Sequence, residues 1–299
     1  MMIIGEIAGL LTSIFFAINA VVVTKAGQKV ASSWIINRTR VVFALLYLVI
    51  LNFILYHQAL PLQAGTQHWT WLSLSGVIGL ALGDAFLFQA YLMVGARLGT
   101  LLLSLSTIFG ALEAWIFFGE SLSLIEIIGI ALTLGGIVWV ILEQGNNKSQ
   151  ALRPSALGIL CGVLAAIGQA TGLVFSKQGM FDNFSPISAN VIRMLAAVVA
   201  LWLITFLQRE AGKTIRTLKE NPTGLQLLAL AALIGPVIGV SLSLLAVQNT
   251  AVGIASVLTS LSPIFMLPIS HFYFKERLGW QAVAGTILAM IGVVILFLV

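Results

Sequence analysis

The sequence predicts an all-α integral membrane protein whose ten transmembrane helices form two inverted five-helix repeats. Three observations support this fold class: a strongly apolar composition, apolar runs of spanning length, and an internal repeat. Of the 299 residues, 60% are hydrophobic and only 8% are charged, against roughly 25% charged residues in soluble domains. A chain so poor in charge cannot cover a water-exposed surface, so we expect nearly all of it to lie in lipid.

The apolar runs reach the length of about 20 residues that a helix needs to cross a hydrocarbon core. They are continuous and lack the alternation of lipid-facing strands, which favours helices over a barrel. The first run has neither a basic region nor a small-residue cleavage site, so we expect it to remain as a span. The predicted spans are residues 3–23, 35–55, 69–91, 98–118, 123–142, 155–176, 186–207, 225–246, 250–273 and 278–298.

The second half of the chain repeats the first at a nearly fixed offset. Polar matches carry the most weight, because charged residues are rare here; they pair Lys25 with Lys177, Arg40 with Arg193 and Glu120 with Glu276. Apolar matches at the offset of 156 include Gly79 with Gly235, Gly83 with Gly239, Phe118 with Phe274, Gly129 with Gly285 and Gly136 with Gly292. The glycine pairs predict close helix packing.

The repeat predicts three parts: a first five-helix unit over residues 1–145, a linker over 146–153, and a second unit over 154–299. Because each unit holds an odd number of spans, the second must lie upside down relative to the first. Inverted repeats of this kind are typical of secondary transporters.

Basic residues are concentrated in the connections that follow odd-numbered predicted spans. These residues are Lys25, Lys29, Arg97, Lys148, Arg153, Arg209, Lys213, Arg216, Lys219, Lys275 and Arg277, whereas the other connections carry only Lys177. By the positive-inside rule, the odd-numbered connections are cytoplasmic and both termini lie outside.

Several functional classes lack support in the sequence. The net charge of +5 is scattered over short loops, which argues against nucleic-acid binding. His57, His68 and His271 do not cluster and Cys161 is the single cysteine, so no metal site, catalytic set or disulfide is predicted. No phosphate-binding loop is present. We therefore expect no enzyme activity and no cofactor, with a small-molecule substrate, the lipid bilayer and protons as partners, in a monomer or homodimer.

Charged side chains at membrane depth cost a few kcal/mol each and need a partner or a cavity. Asp84 in the third span and Arg40 in the second fall on the same side of the midplane, so they can pair. Glu113 lies late in the fourth span, towards the opposite face, on the same side as Arg193. We predict substrate binding by Arg40 and Arg193, with snorkelling to the interface as the alternative, and proton coupling by Asp84 or Glu113.

Neutral amides and two lysines complete the predicted substrate site. Asn19 and Gln169 lie in the outgoing halves of the first and sixth spans, which are equivalent in the repeat, and Gln89 lies in the third span. Lys25 and Lys177 end the first and sixth spans and would meet opposite mouths of a pathway. The alternatives are hydrogen bonding between helices for Gln89 and anchoring of the helix ends for the lysines.

Four segments together carry a family resemblance. Residues 251–296 (AVGIASVLTSLSPIFMLPISHFYFKERLGWQAVAGTILAMIGVVIL) resemble the repeat unit of EamA-type transporters of the drug/metabolite transporter superfamily, and 96–142 match it except at Thr107, which replaces the usual proline. FFAINAVVVTKAG (15–27) and INRTRVVFALL (36–46) resemble the parts of that unit that hold the first-span lysine, here Lys25, and the second-span arginine, here Arg40.

The resemblance implies a 5+5 inverted repeat that works by alternating access and often exports amino acids or other small metabolites. It also implies cytoplasmic termini, whereas the loop charges favour external ones; we follow the charges. We therefore expect a secondary active transporter for efflux of amino acids or related compounds across a bacterial inner membrane. A sugar-phosphate, nucleotide-sugar or drug transporter of the same fold and a passive channel remain as alternatives.

Overall fold

The computed structural model describes residues 2–118, 124–146, 155–250, 252–275 and 279–296, and within these ranges it is helical with no strand. The predicted all-α membrane class is confirmed. The predicted linker lies almost wholly outside the described residues, as do Glu120, Glu276 and the basic residues Lys148, Arg153 and Arg277.

The helices follow the predicted spans in order. They are α1 (Met2–Val30), α2 (Ser33–Tyr56), α3 (Thr66–Ser75), the π-helical segment π1 (Gly76–Gly83), α4 (Asp84–Leu103), α5 (Ser106–Phe118), α6 (Leu124–Asn146), α7 (Ala156–Gly179), α8 (Pro186–Leu207), α9 (Ala211–Glu220), α10 (Pro222–Ala232), the π-helical segment π2 (Leu233–Val240), α11 (Ser241–Asn249), α12 (Val252–Thr259), α13 (Ser262–Tyr273) and α14 (Trp280–Leu296).

Among the described residues, six continuous helical stretches are long and apolar enough to cross a membrane: Ile3–Val30, Ser33–Tyr56, Thr66–Leu103, Ala156–Gly179, Pro186–Leu207 and Pro222–Asn249. The shorter stretches Ile127–Glu143, Val257–Tyr273 and Trp280–Ile295 are also apolar. The longest stretch is divided at Gly95, whose φ of 85° and ψ of 163° are not helical. Glycine adopts such a conformation without a side-chain clash, so Gly95 separates the predicted third and fourth spans.

One helix was not predicted. The polar connection after α8 contains α9, an amphipathic helix in which Thr214 is buried while Lys213, Arg216 and Lys219 are exposed. Helix α9 therefore displays its basic residues on the outer face of a connection that the charge pattern assigns to the cytoplasm.

Helical breaks occur at equivalent places before α5 and before α13. Ser104–Leu105 and Ser260–Leu261 are turns held by hydrogen bonds between residues three apart, such as Leu105 N–H to Leu102 C=O at 3.1 Å and Ser260 N–H to Val257 C=O at 3.1 Å. Pro263 follows the second break. Thr107 stands in its place after the first, where its hydroxyl donates to the Ser104 carbonyl at 2.7 Å. The break in the fourth span therefore forms without a proline.

Helix packing connects the two halves of the chain. Helix α1 packs against α10, π2 and α11, while α7 packs against α3, π1 and α4. Helix α2 packs against α8, and α6 packs against α14. Each of these contacts joins a helix of residues 2–146 to a helix of residues 155–296, so neither half buries its apolar faces alone.

Glycines set the distance between α6 and α14. A Cβ atom on Gly136 would lie 2.4 Å from the backbone nitrogen of Ala289 and 2.6 Å from the carbonyl oxygen of Gly285. A Cβ atom on Gly292 would lie 2.4 Å from the backbone nitrogen of Thr133. The backbones are in contact, as small residues allow at helix interfaces in membranes.

Gly136→Ala and Gly135→Ala test this interface with the same added methyl group. We expect Gly136→Ala to lower the free energy of unfolding by about 1–3 kcal/mol, because α6 and α14 must separate to admit it. Gly135→Ala adds its methyl group where nothing lies within 4 Å, so stability should be unchanged or slightly higher. Thermal unfolding of the two detergent-solubilised variants measures the difference; equal effects would contradict the packing.

Candidate functional site

Four polar side chains from four helices meet where α4 begins. Asp84 of α4 forms an ion pair with Arg40 of α2 through Oδ2 and Nη2, which confirms the predicted pairing. Gln169 of α7 donates from Nε2 to Oδ1 of Asp84 at 2.8 Å. Arg193 of α8 interacts electrostatically with the same carboxylate. We call these four residues the Asp84 cluster.

The π-helical segment before Asp84 positions this carboxylate. In π1 the hydrogen bonds span five residues, and the Asp84 N–H donates to the Gly79 carbonyl. Glycines then let α7 approach: a Cβ atom on Gly172 would lie 2.9 Å from the Cα of Gly79, and one on Gly168 would lie 2.9 Å from the Cα of Gly83. This close contact brings the neighbouring Gln169 within reach of Asp84.

Two asparagines hold the carbonyl groups of the π-helical segments. Asn37 donates to the Leu80 and Ala81 carbonyls at 3.0 and 2.8 Å, and Asn190 donates to the Pro236 carbonyl at 2.8 Å. Backbone carbonyls away from water need such partners. The predicted substrate site did not include these asparagines. Asn37 precedes Arg40 by three residues and Asn190 precedes Arg193 by three residues. This repeated spacing is the sequence signal that relates the asparagines to the site.

Both arginines of the cluster are buried in the protein rather than extended to its surface. Arg40 is 3% exposed and its guanidinium carbon lies 4.4 Å from the centroid of the Phe88 ring, within the range of a cation–π contact. Arg193 is 4% exposed, and its backbone packs against Gly76. The observed burial differs from the alternative in which the two side chains snorkel.

Charge in the cluster is unbalanced. Arg40 and Arg193 carry two positive charges and Asp84 carries one negative charge. Arg40 takes up the Asp84 Oδ2 atom directly, whereas Arg193 makes no direct ion pair with a described residue and its buried Nε has no hydrogen-bond partner. One guanidinium therefore lies in the protein interior without a contacting anion among the described residues.

Asn19 lies beside π2 and does not occupy the position equivalent to Gln169. A Cβ atom on Gly235 would lie 2.7 Å from the Asn19 side chain, whereas Gly79, which matches Gly235 in the repeat, lies against Gly172. Asn19 therefore corresponds to Gly172, although Asn19 and Gln169 both lie in the later halves of equivalent spans. The buried Asn19 Oδ1 has no hydrogen-bond partner among the described residues.

Glu113 lies apart from Asp84, as predicted. It accepts a hydrogen bond from the Thr171 hydroxyl at 2.5 Å. Thr171 is two residues from Gln169, and residues two apart lie on different faces of a helix. Helix α7 therefore touches the two carboxylates with different faces. Glu113 shows no described contact with Arg193, whose charge interacts with Asp84 instead.

The remaining predicted residues lie outside the cluster. Gln89 accepts a hydrogen bond from the Ser33 hydroxyl at 2.8 Å and so joins α4 to the start of α2. Lys25 is exposed, with its ammonium nitrogen 5.6 Å from the centroid of the Tyr273 ring. Lys177 is exposed near the end of α7. The structure does not bring these three side chains together.

The sequence analysis did not predict that two further arginines are buried and form ion pairs between helices. Arg38 is 2% exposed and donates to the Thr205 hydroxyl at 3.0 Å and to Glu210 at 3.2 Å, so it joins α2 to the end of α8. Arg97 of α4 lies 3.6 Å from Glu143 of α6, although its position in a short connection pointed only to topology. A charged residue three positions into an apolar span was the signal for Arg38.

The two halves of the chain each match one protein family. The matched residues are 3–142 and 156–298, and the family is described as the EamA-like transporter family. The chain belongs to the EamA-like transporter family. This confirms the resemblance drawn from the sequence and identifies a multi-pass membrane protein of the drug/metabolite transporter type.

Individual relatives agree with the family and add no substrate. A protein of Synechocystis sp. is 26% identical over 249 residues, covering 78% of this chain and 73% of the relative. A protein of Clostridium kluyveri is 26% identical over 141 residues, and the match spans 46% of this chain and only 42% of the relative. Both are named uncharacterized transporters.

A solved crystal structure shows the same fold. Its chain is 14% identical to this one, with a TM-score of 0.56 over 97% of this chain and 95% of the other. Within the described residues, no group of three or more His, Cys, Asp or Glu side chains could hold a metal ion. The Asp84 cluster itself offers ion pairing through Arg40 and hydrogen bonding through Gln169.

Replacing Arg40 alone should cost more stability than removing all three charges of the cluster. Arg40→Met leaves the Asp84 charge buried without its contacting guanidinium, so we expect the free energy of unfolding to fall by about 3–5 kcal/mol. Arg40→Met combined with Asp84→Leu and Arg193→Met removes every charge of the cluster and should recover part of this loss. Denaturant unfolding in detergent compares the two variants.

Arg216→Ala is the control for that comparison. It breaks an ion pair to Glu220 in which the two side chains are 81% and 58% exposed, and exposed pairs of this kind contribute little. We expect no detectable change in stability. A triple variant as unstable as Arg40→Met would show that the buried charge is not the source of the cost.

Proposed function

We propose that this protein is a secondary active transporter that moves a small metabolite across the membrane by alternating access, with the Asp84 cluster as its substrate site. The observation that carries the proposal is the placement of two arginines, an aspartate and an amide at membrane depth, contributed by helices from both halves of the chain. Charged groups are expensive there, and they mark substrate and ion pathways in membrane proteins.

The contacts between the halves support an inverted repeat with units at residues 1–145 and 154–299. Gly136 contacts Gly285, and Gly292 contacts the carbonyl oxygen of Gly129. Gly136 matches Gly292 and Gly129 matches Gly285 at the offset of 156, so the two contacts are equivalent in the repeat. Likewise, α7 of the second half packs against π1 of the first half, and α1 of the first half packs against π2 of the second half. A substrate site between two such units can open to either side as they rock against each other.

Roles within the site follow from charge. Arg40 and Arg193 would hold the anionic part of a substrate, since planar guanidinium groups suit carboxylates and phosphates. Gln169 would orient it by hydrogen bonding. Asp84 would couple transport to protons by taking up and releasing one as the site opens, with Glu113 as the alternative carboxylate.

We infer amino acids or related small metabolites as the substrate class and efflux across a bacterial inner membrane as the direction. The family membership and the relatives named as transporters support transport itself. The guanidinium pair supports anionic groups on the substrate, which the carboxylates of amino-acid-related compounds supply. Sugar phosphates meet the same requirement, so they belong in any ligand screen.

Ligand binding should depend on Arg193. A thermal-shift screen of the purified protein against amino acids, sugar phosphates, nucleotide sugars and organic cations identifies ligands, because a compound that binds the folded state raises the melting temperature. We expect Arg193→Ala to weaken binding of the best hit by about 10- to 100-fold, as the loss of a charged hydrogen bond of about 1.5–3 kcal/mol implies. Arg216→Ala should bind as the unmodified protein does, and undiminished binding by Arg193→Ala would remove it from the site.

Topology can be tested with single cysteines in a Cys161→Ala background. Lys213→Cys places an exposed thiol on α9, and Gln63→Cys places one in the connection between α2 and α3. We expect a membrane-impermeant maleimide to label Gln63→Cys in intact cells and Lys213→Cys only after the membrane is opened, since the basic connections are proposed to be cytoplasmic. The reverse pattern would place both termini inside.

A further inference from the structure

The Asp84 cluster repeats its arginine but not its aspartate. Arg40 and Arg193 match at an offset of 153, whereas the residue 156 positions after Asp84 is Val240, and Ser241 follows it. Neither of these two side chains is ionisable. In the first copy an arginine meets a carboxylate; in the second copy the corresponding arginine lacks one.

The structure shows the result of this asymmetry at Arg193. Its side chain is 4% exposed, its Nε has no hydrogen-bond partner, and it makes no direct ion pair with a described residue. The carboxylate that acts on it, Asp84, already accepts from Arg40 at one oxygen and from Gln169 at the other. Within the part of the chain that the structure describes, the Arg193 charge is therefore offset only at a distance.

A buried guanidinium without a contacting anion is costly, and removing one partner of a buried ion pair typically costs several kcal/mol. The cluster holds two positive charges and one negative charge, so one further negative charge would neutralise it. A cation would instead meet two guanidinium groups. The charge balance of the cluster therefore determines both the sign and the magnitude of the ligand charge that the site accepts.

We propose that the ligand of this site carries a net charge of minus one and places its anionic group against Arg193, supplying the carboxylate that the second copy lacks. The inference rests on the proposed function and narrows its substrate class. Among amino-acid-related compounds it selects acidic amino acids and N-acylated amino acids over neutral zwitterions. Asp84 is then ionised as the counter-ion of Arg40 in the loaded site, and the proton of the proposed coupling binds Asp84 only after the ligand has left.

The first test uses two ligand pairs that differ in net charge: L-glutamate with L-glutamine, and N-acetyl-L-leucine with L-leucine. Thermal shift and equilibrium dialysis on the purified full-length protein give the dissociation constants at neutral pH. We expect the anionic member of at least one pair to bind at least tenfold more tightly than its partner. Binding of L-glutamine or L-leucine as tightly as the anion would leave the transporter proposal standing and overturn this inference.

An absence of binding by all four compounds would overturn both the net-charge inference and the amino-acid substrate class. Flux of any other compound through proteoliposomes would then still support transport. The two failures are therefore distinguishable.

The second test restores the missing charge within the chain. Val240→Asp should bind the anionic ligand at least tenfold more weakly than Val240→Asn, because the new carboxylate occupies the place of the ligand's anionic group. The two variants differ in charge and hardly in size, which separates the electrostatic effect from the effect of a polar group at this position. Equal binding by the two variants would contradict the proposal.

Stability gives an independent readout of the same variants. Val240→Asp should have a higher melting temperature without ligand than Ile238→Asp, which puts a carboxylate on the same π-helical segment. Ile238 lines a surface groove of about 370 Å³ with Ile50 and Ile54, and none of the described residues that line this groove is a cation. A Val240→Asp variant as unstable as Ile238→Asp would show that the new carboxylate does not meet Arg193, and would overturn the assignment.

Discussion

The ion pair between Arg40 and Asp84 is the interaction on which the interior of this protein depends. Both side chains are almost fully buried, and neither charge could lie at that depth without the other or another partner. The pair fixes α2 against the start of α4, while the Gln169 hydrogen bond adds α7 from the other half of the chain. A contact between two charges therefore determines how three helices come together.

Close approach of the helices is the condition for that contact. Gly79 and Gly83 on π1 meet Gly172 and Gly168 on α7 at distances that leave no room for a side chain. In lipid, where apolar side chains gain nothing by leaving the solvent, small residues and interhelical hydrogen bonds supply much of the association energy. The glycines allow the helices to pack closely, and the charges fix which parts of the helices meet. Both effects act at the same place in the fold.

The π-helical segments give the site its local geometry. Just before Asp84 the Asp84 N–H bonds the Gly79 carbonyl, one residue further back than in an α-helix, and Asn37 donates to the neighbouring Leu80 and Ala81 carbonyls. Pro236 prevents regular pairing in the second segment, where Asn190 bonds its carbonyl. Irregular backbone at membrane depth is tolerated where protein groups satisfy it, and such irregularity is frequent at functional sites.

Local patterns in the sequence alone predicted the fold class, the spans and one contact of the candidate site. Composition and run length fixed the all-α membrane class, because a helix in lipid must be apolar over about 20 residues. The antiparallel order of the second and third spans was enough to predict that Arg40 and Asp84 can pair, since depth along a helix follows from residue count. The EamA resemblance also followed from the sequence, and the family match confirmed it.

Tertiary structure decided the rest. Depth does not specify the direction in which a side chain points around its helix, so only the packed structure separated Gln169, which contacts Asp84, from Gln89, which bonds Ser33. It also decided that the Arg193 charge interacts with Asp84, and that Arg38 forms an ion pair with Glu210. These contacts join residues that are far apart in the chain. A sequence pattern shows which residues share a face of one helix, but it does not show how neighbouring helices are rotated relative to that face.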